Sequence, residues 1–183
     1  MSGVMTAARV TAFTALGLGL GAVSGVAWWA VVKLPAYQVN DDGSASISER
    51  GLTEFFGGDA WFCAIGLVVG VGLGGVAWRA LHDLGWPLVL LVGIVAVLAG
   101  LVCWFVGHRL GPGDFVARLA AARPGDLVSI ELTLRARASL LTWPFFAVVP
   151  VLLSSSLGRD DEEQRPLLRR SASPTSPLGQ PEH

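Results

Sequence analysis

PLVLLVGIVAVLAGLVCWFVG, residues 87–107, contains no Asp, Glu, Lys, Arg or His. A helix needs roughly 20 apolar residues to cross the hydrocarbon core of a bilayer, and this stretch is that long. Three more runs share its character, about residues 10–32, 60–78 and 138–157. The reading is an α-helical integral membrane protein, a four-transmembrane-helix bundle occupying residues 1–157. Arg9 followed by an apolar run and Ala22-Val23-Ser24 resembles a signal peptide with a cleavage site. The run continues through Trp28, Trp29 and Val32, too long for such a peptide, and is read as a retained span.

Composition agrees. The chain of 183 residues is 52% hydrophobic and 15% charged, with a mean hydropathy of +0.58. No interval between the spans is long enough to bury a sizeable soluble core. A formal net charge of −1 supplies no basic face for nucleic acid.

Small residues recur along the spans. Gly17, Gly21 and Gly25 fall four apart, as do Gly66, Gly70 and Gly74, and Gly93, Gly100 and Gly107 recur at seven. In lipid, small residues let helix backbones approach closely, so these stripes are read as helix-packing faces, within the bundle or between copies. They form no nucleotide-binding loop, because no Lys-Ser/Thr follows and no strand precedes them. The tryptophans at positions 28, 29, 61, 78, 86, 104 and 143 fall near span ends and read as an aromatic belt. Pro144 and Pro150 predict a kink in the fourth span.

Two loops read as folded. In the first, Asn40-Asp41-Asp42-Gly43 separates short β-prone runs and predicts a hairpin over 36–48. Gly57-Gly58 then breaks the chain. Asp59 either caps the second helix or serves as a functional carboxylate at the membrane edge. In the third loop, Asp114 precedes a short helix from Phe115 to Ala122, ended by Pro124-Gly125. Residues 127–137 alternate, with Val128, Ile130, Leu132 and Leu134 on one face, and predict a half-buried strand. Hairpin and strand together predict a small extracytoplasmic β cap of about three strands. The tight second loop holds Arg79, His82 and Asp83 as solvated groups. After residue 157 a charge run leads into Arg-, Ser- and Pro-rich sequence, and residues 158–183 read as a disordered tail; Arg169-Arg170-Ser171 within it would suit a basophilic kinase.

Sidedness is not decided by Lys and Arg. With both termini cytoplasmic, six face the cytoplasm (Arg9, Arg79, Arg159, Arg165, Arg169, Arg170) and seven face outward (Lys33, Arg50, Arg109, Arg118, Arg123, Arg135, Arg137). Termini inside is the expectation, because the first loop is acidic on balance and the folded loops suit an outer face. The location expected is the plasma membrane.

No span carries a carboxylate or histidine, which argues against an ion-coupled transporter. Cys63 and Cys103 lie in spans without companions and read as small packing residues. No metal-ligand spacing occurs, and no cofactor is expected. The membrane-edge groups Asp59, His108, Arg109, Glu131, Arg135 and Arg137 form the one candidate ligand-binding cluster. They also make an ordinary structural collar, with arginines reaching to headgroups.

Gly107-His108-Arg109-Leu110-Gly111-Pro112 and the run from Glu131 through Arg137-Ala138-Ser139 to Trp143-Pro144 resemble an actinobacterial family of four-span membrane proteins described only as a domain of unknown function. Asp42-Gly43-Ser44 and Gly58-Asp59-Ala60-Trp61-Phe62 are similar to its first loop. The resemblance covers about residues 35–159. It implies an actinobacterial plasma membrane and carries over no catalytic residue. Function is therefore expected to be non-enzymatic: an accessory or structural protein acting through a membrane-protein partner or a second copy, with membrane lipids around it. The alternative is binding or transport of a small or lipidic ligand within the bundle.

Overall fold

The computed structural model describes residues 2–40, 44–47 and 49–171. Four of its helices are long and apolar enough to cross a membrane, and the chain is mostly helical. In chain order the elements are α1 (Ser2–Val31), β1 (Ala36–Val39), β2 (Ala45–Ile47), α2 (Glu49–Leu81), a 3-10 turn (His82–Leu84), α3 (Pro87–Leu110), α4 (Phe115–Ala120), β3 (Leu127–Ser129), a second 3-10 turn (Arg137–Leu141) and α5 (Thr142–Ser171).

The long helices associate mainly as two pairs, α1 on α3 and α2 on α5, and α3 also meets α5. Glycine sets both pairings. Gly17, Gly21 and Gly25 of α1 lie against Val95, Ala99 and Cys103 of α3. A Cβ added at Gly21 would lie 2.5 Å from the Ala99 carbonyl oxygen and 2.9 Å from its Cα. Gly66, Gly70 and Gly74 of α2 lie in the same way against Trp143 and Ala147 of α5.

The space between the pairs is filled by aromatic side chains. Trp28, Phe62 and Trp143 are fully buried and touch in series, with ring centroids 5.3 Å and 5.6 Å apart. Gly107 of α3 receives the Trp28 ring, and Gly100 receives the Trp143 ring. Trp28 Nε1 donates to the Gly58 carbonyl at 2.8 Å; Trp143 Nε1 has no partner among the described residues. Trp28 and Trp143 therefore do not belong to an interfacial belt, where the sequence reading put them. Trp29, Trp61, Trp86 and Trp104 are exposed, as belt residues would be.

The second helix starts at Glu49, not near residue 60. Gly57-Gly58 does not break it, and Asp59 lies inside it rather than capping its end. Glycine within a helix costs about 1 kcal/mol relative to alanine. Here the bare Gly58 carbonyl takes the Trp28 hydrogen bond, so tertiary packing outweighs local preference.

The two loops at this end of the bundle meet. β1 pairs antiparallel with β2, Tyr37 opposite Ile47, and with β3, Tyr37 opposite Val128. Strands of four, three and three residues enclose no core of their own, and the ladder is much less than the expected cap. The strand expected over 127–137 stops at Ser129, although its alternation survives as burial: Val128 and Leu132 are buried while Thr133 and Arg135 are exposed. Beyond Ser129 the backbone bonds once more beside β1, Ile130 N to the Pro35 carbonyl, and then to the side chains of His108 and Asp59. The Asp41–Gly43 turn lies outside the described residues. Asp114 accepts from the amides of Val116 and Ala117, so α4 begins where its cap predicts.

At the opposite end, Arg9 pairs with Asp83 at 2.8 Å and also donates to the Ala80 carbonyl, tying α1 to the end of α2. α5 runs past residue 157 to Ser171, because Glu, Gln, Arg and Leu beyond the apolar run are good helix formers. Residues 172–183 of the expected tail lie outside the described residues.

The glycine contacts predict a sharp contrast. Gly21→Ala should destabilise the folded chain by about 1–3 kcal/mol through overpacking. Gly19→Ala, which meets nothing within 4 Å, should be neutral or stabilise by up to about 1 kcal/mol. Equilibrium unfolding in mixed micelles measures both.

Candidate functional site

The six membrane-edge candidates all fall at the end of the bundle that carries the loops, but they do not converge on one point. Three of them, Asp59, His108 and Glu131, bind the third loop to the helices. Asp59, half-buried on α2, accepts from two successive backbone amides: Arg135 N to Oδ1 at 3.1 Å and Ala136 N to Oδ2 at 2.8 Å. A carboxylate gripping two amides is a charge-assisted clasp. It holds the chain just before it turns into α5.

His108, on the last turn of α3, meets the Leu132 carbonyl through Nδ1 at 3.0 Å. Its other face is stacked on Trp104, with ring centroids 6.0 Å apart and planes 13° from parallel. Leu132 is buried beneath this bond. Glu131 reaches back 16 positions to accept from the Phe115 amide at 3.0 Å, which satisfies one of the free amides at the start of α4. These three contacts tie residues 131–136 to α2, α3 and α4.

The arginines divide. Arg109 lies over the Phe105 ring, 4.9 Å from its centroid, a cation–π contact on its own helix. Arg135 offers its backbone amide to Asp59. Arg137 lines a cavity of about 290 Å³ together with Leu101, Trp104, Thr133, Leu134 and Leu140. Of the six candidates, only Arg137 lines this cavity.

Sequence reading missed the residue that completes the loop's anchorage. Arg118 donates through Nε to the Gly113 carbonyl at 2.9 Å and through Nη2 to the Ser129 carbonyl at 2.7 Å, joining α4 to β3. A cation on so short a helix, beside a run with polar backbone to satisfy, was the available signal. Pro35 contributes as well, its carbonyl accepting from Ile130 N at 3.0 Å.

Chemically, this arrangement positions backbone rather than a reacting group. Glu131 is occupied by an amide, and His108 by a carbonyl. Cys63 receives the Thr142 hydroxyl at 3.6 Å, and no base contacts it among the described residues. Among the described residues no three His, Cys, Asp or Glu side chains come together as a metal-binding group. Gly17, Gly21, Gly25, Gly66, Gly70 and Gly74 lie at the helix pairings described above, away from this cluster.

Compared with protein-family models, curated proteins and solved structures, the chain has no match.

Removing the clasp should loosen the loop without unfolding the bundle. For Asp59→Ala, the loss of hydrogen bonds to a charged group is worth about 2 kcal/mol. Hydrogen exchange at the Arg135 and Ala136 amides should then rise roughly thirty-fold, while exchange in the middle of α3 stays unchanged.

Proposed function

We propose that this chain is a non-enzymatic, multi-pass plasma-membrane protein that acts by presenting its first and third loops to a protein partner. One observation carries the reading. Asp59, His108, Glu131 and Arg118 each hydrogen-bond to backbone in or beside the third loop, which supports reading this end of the bundle as a fixed platform. Over that platform Val116 and Leu127 stand 73% and 70% exposed. Two large apolar side chains held on an ordered surface suit a docking contact better than free solvent.

The bacterial-envelope setting, with loops outside and termini in the cytoplasm, is part of the proposal. It is supported by the resemblance of the segments around His108–Pro112 and Glu131–Pro144 to actinobacterial four-span proteins, and by the acidic balance of the first loop. The second reading, a ligand within the bundle, has little room in the interior, where Trp28, Phe62 and Trp143 fill the space between the helix pairs. Its supporting geometry lies instead on an outer seam, treated below.

A photo-crosslinking residue at position 127, introduced in cells, tests the docking role. A discrete adduct, absent when Val116→Glu is added and absent for the same probe at position 86, is the expected result. No adduct at position 127, together with a monomer free of partners in mild detergent, would overturn the reading.

A further inference from the structure

Two hollows lie along the seam that α3 forms with α5 and with the 3-10 turn leading into it. The one at the loop end contains Arg137, Thr133 and Trp104. The other, an open groove of about 440 Å³, is lined by apolar side chains alone, among them Gly93, Ile94, Val97, Leu98, Pro144 and Val148. No residue lines both, but their linings adjoin along the chain. On α3, Leu98 of the groove and Leu101 of the polar hollow are three residues apart. On the other side, Leu140 and Pro144 are four apart. The first spacing is about one turn on one face of α3; the second crosses from the 3-10 turn into the first turn of α5.

The seam offers an amphiphile a polar end beside the loops and an apolar continuation into the membrane. Trp104 to Val89 is fifteen residues of helix, about 22 Å at 1.5 Å per residue. Half the hydrocarbon thickness is about 15 Å, so a chain entering at Trp104 reaches the midplane near Ile94, and the groove runs on beyond it toward the opposite face. Its wall is exposed: Leu90 and Ile94 are 56% and 59% accessible. The polar end sits at the start of the fourth span, which begins at Arg137. Trp104, partly exposed at that level, is placed as an interfacial aromatic. Neither the Arg137 guanidinium nor the Thr133 hydroxyl has a hydrogen-bond partner among the described residues, whereas Asp59, His108 and Glu131 are all engaged. A guanidinium recognises a phosphate oxygen pair well, and a hydroxyl adds a further donor.

We infer that the α3–α5 seam is a binding site for an anionic phospholipid, with the headgroup phosphate on Arg137 and Thr133 and an acyl chain along the groove past Gly93. This goes beyond the docking role and depends only on the helices spanning the membrane. Gly93 keeps the groove open: a Cβ there would meet only Val148, at 3.9 Å. A larger side chain can therefore fill the groove without moving a helix.

Native mass spectrometry of the full chain, released from bilayers of equal phosphatidylglycerol and phosphatidylcholine, tests the site. The parent should retain phosphatidylglycerol preferentially. Arg137→Gln should lower that retention about tenfold, the scale of one charged hydrogen bond, and leave phosphatidylcholine unchanged. Gly93→Leu should lower retention of both. Arg109→Gln, which alters a cation at the same end but outside both hollows, should change neither. Equal losses from Arg109→Gln and Arg137→Gln would mean unspecific attraction and overturn the inference. Full retention in Gly93→Leu would overturn it as well. So would efficient chain-to-chain crosslinking through Ile94→Cys without retained lipid, because a second copy would then occupy the seam.

Discussion

Close backbone approach through glycine holds the four long helices in two pairs, and the remaining structure follows from it. In a bilayer the hydrophobic effect does not separate helix from lipid, so packing contacts decide which helices associate. At Gly21 and Gly70 the facing backbone is so near that even a methyl group would collide with it. The two pairs leave a slot between them. Trp28, Phe62 and Trp143 fill it, and glycines of α3 supply the hollows for the two indole rings. Dispersion from large rings against bare backbone is the kind of gain available where water is absent.

The loops inherit their order from this frame. Because α2 extends as far as Glu49, Asp59 is presented on a rigid helix and can clasp the backbone of a loop 76 residues away. His108 and Glu131 add ties from α3 and to α4. The result is a third loop held by side chains as well as by the short β1–β3 ladder. That arrangement explains how a chain segment with so few strand residues stays ordered, and why its outward apolar groups, Val116 and Leu127, keep fixed positions.

Much of the architecture was legible in the sequence. Four charge-free runs of membrane length, the glycine stripes, the Asp114 cap and the proximity of first and third loops could all be read from period and composition. The boundaries could not. Gly57-Gly58 carries a strong local signal for a break, and only the distant Trp28 indole explains why the helix continues through it. The alternation over 127–137 correctly marked an inward and an outward face, yet period two does not say whether the backbone pairs with a strand or with side chains. Trp28 and Trp143 sit near span ends in sequence, where an interfacial ring is the usual expectation; their burial depends on glycines of another helix. For the candidate site, residue type and membrane-edge position identified the cluster. What each polar atom binds depended on tertiary geometry, and that geometry separates Arg137 from its neighbours.

The central claim is that the first and third loops share one membrane face and are joined to each other there, with the short second loop on the opposite face. Cysteine-accessibility labelling on intact cells, in a variant lacking Cys63 and Cys103, tests it directly through single cysteines at Ser46, Leu127 and Trp86. The account predicts that positions 46 and 127 respond together to an impermeant reagent, and that position 86 behaves oppositely. Labelling that separates 46 from 127, or that groups 86 with either, would contradict it.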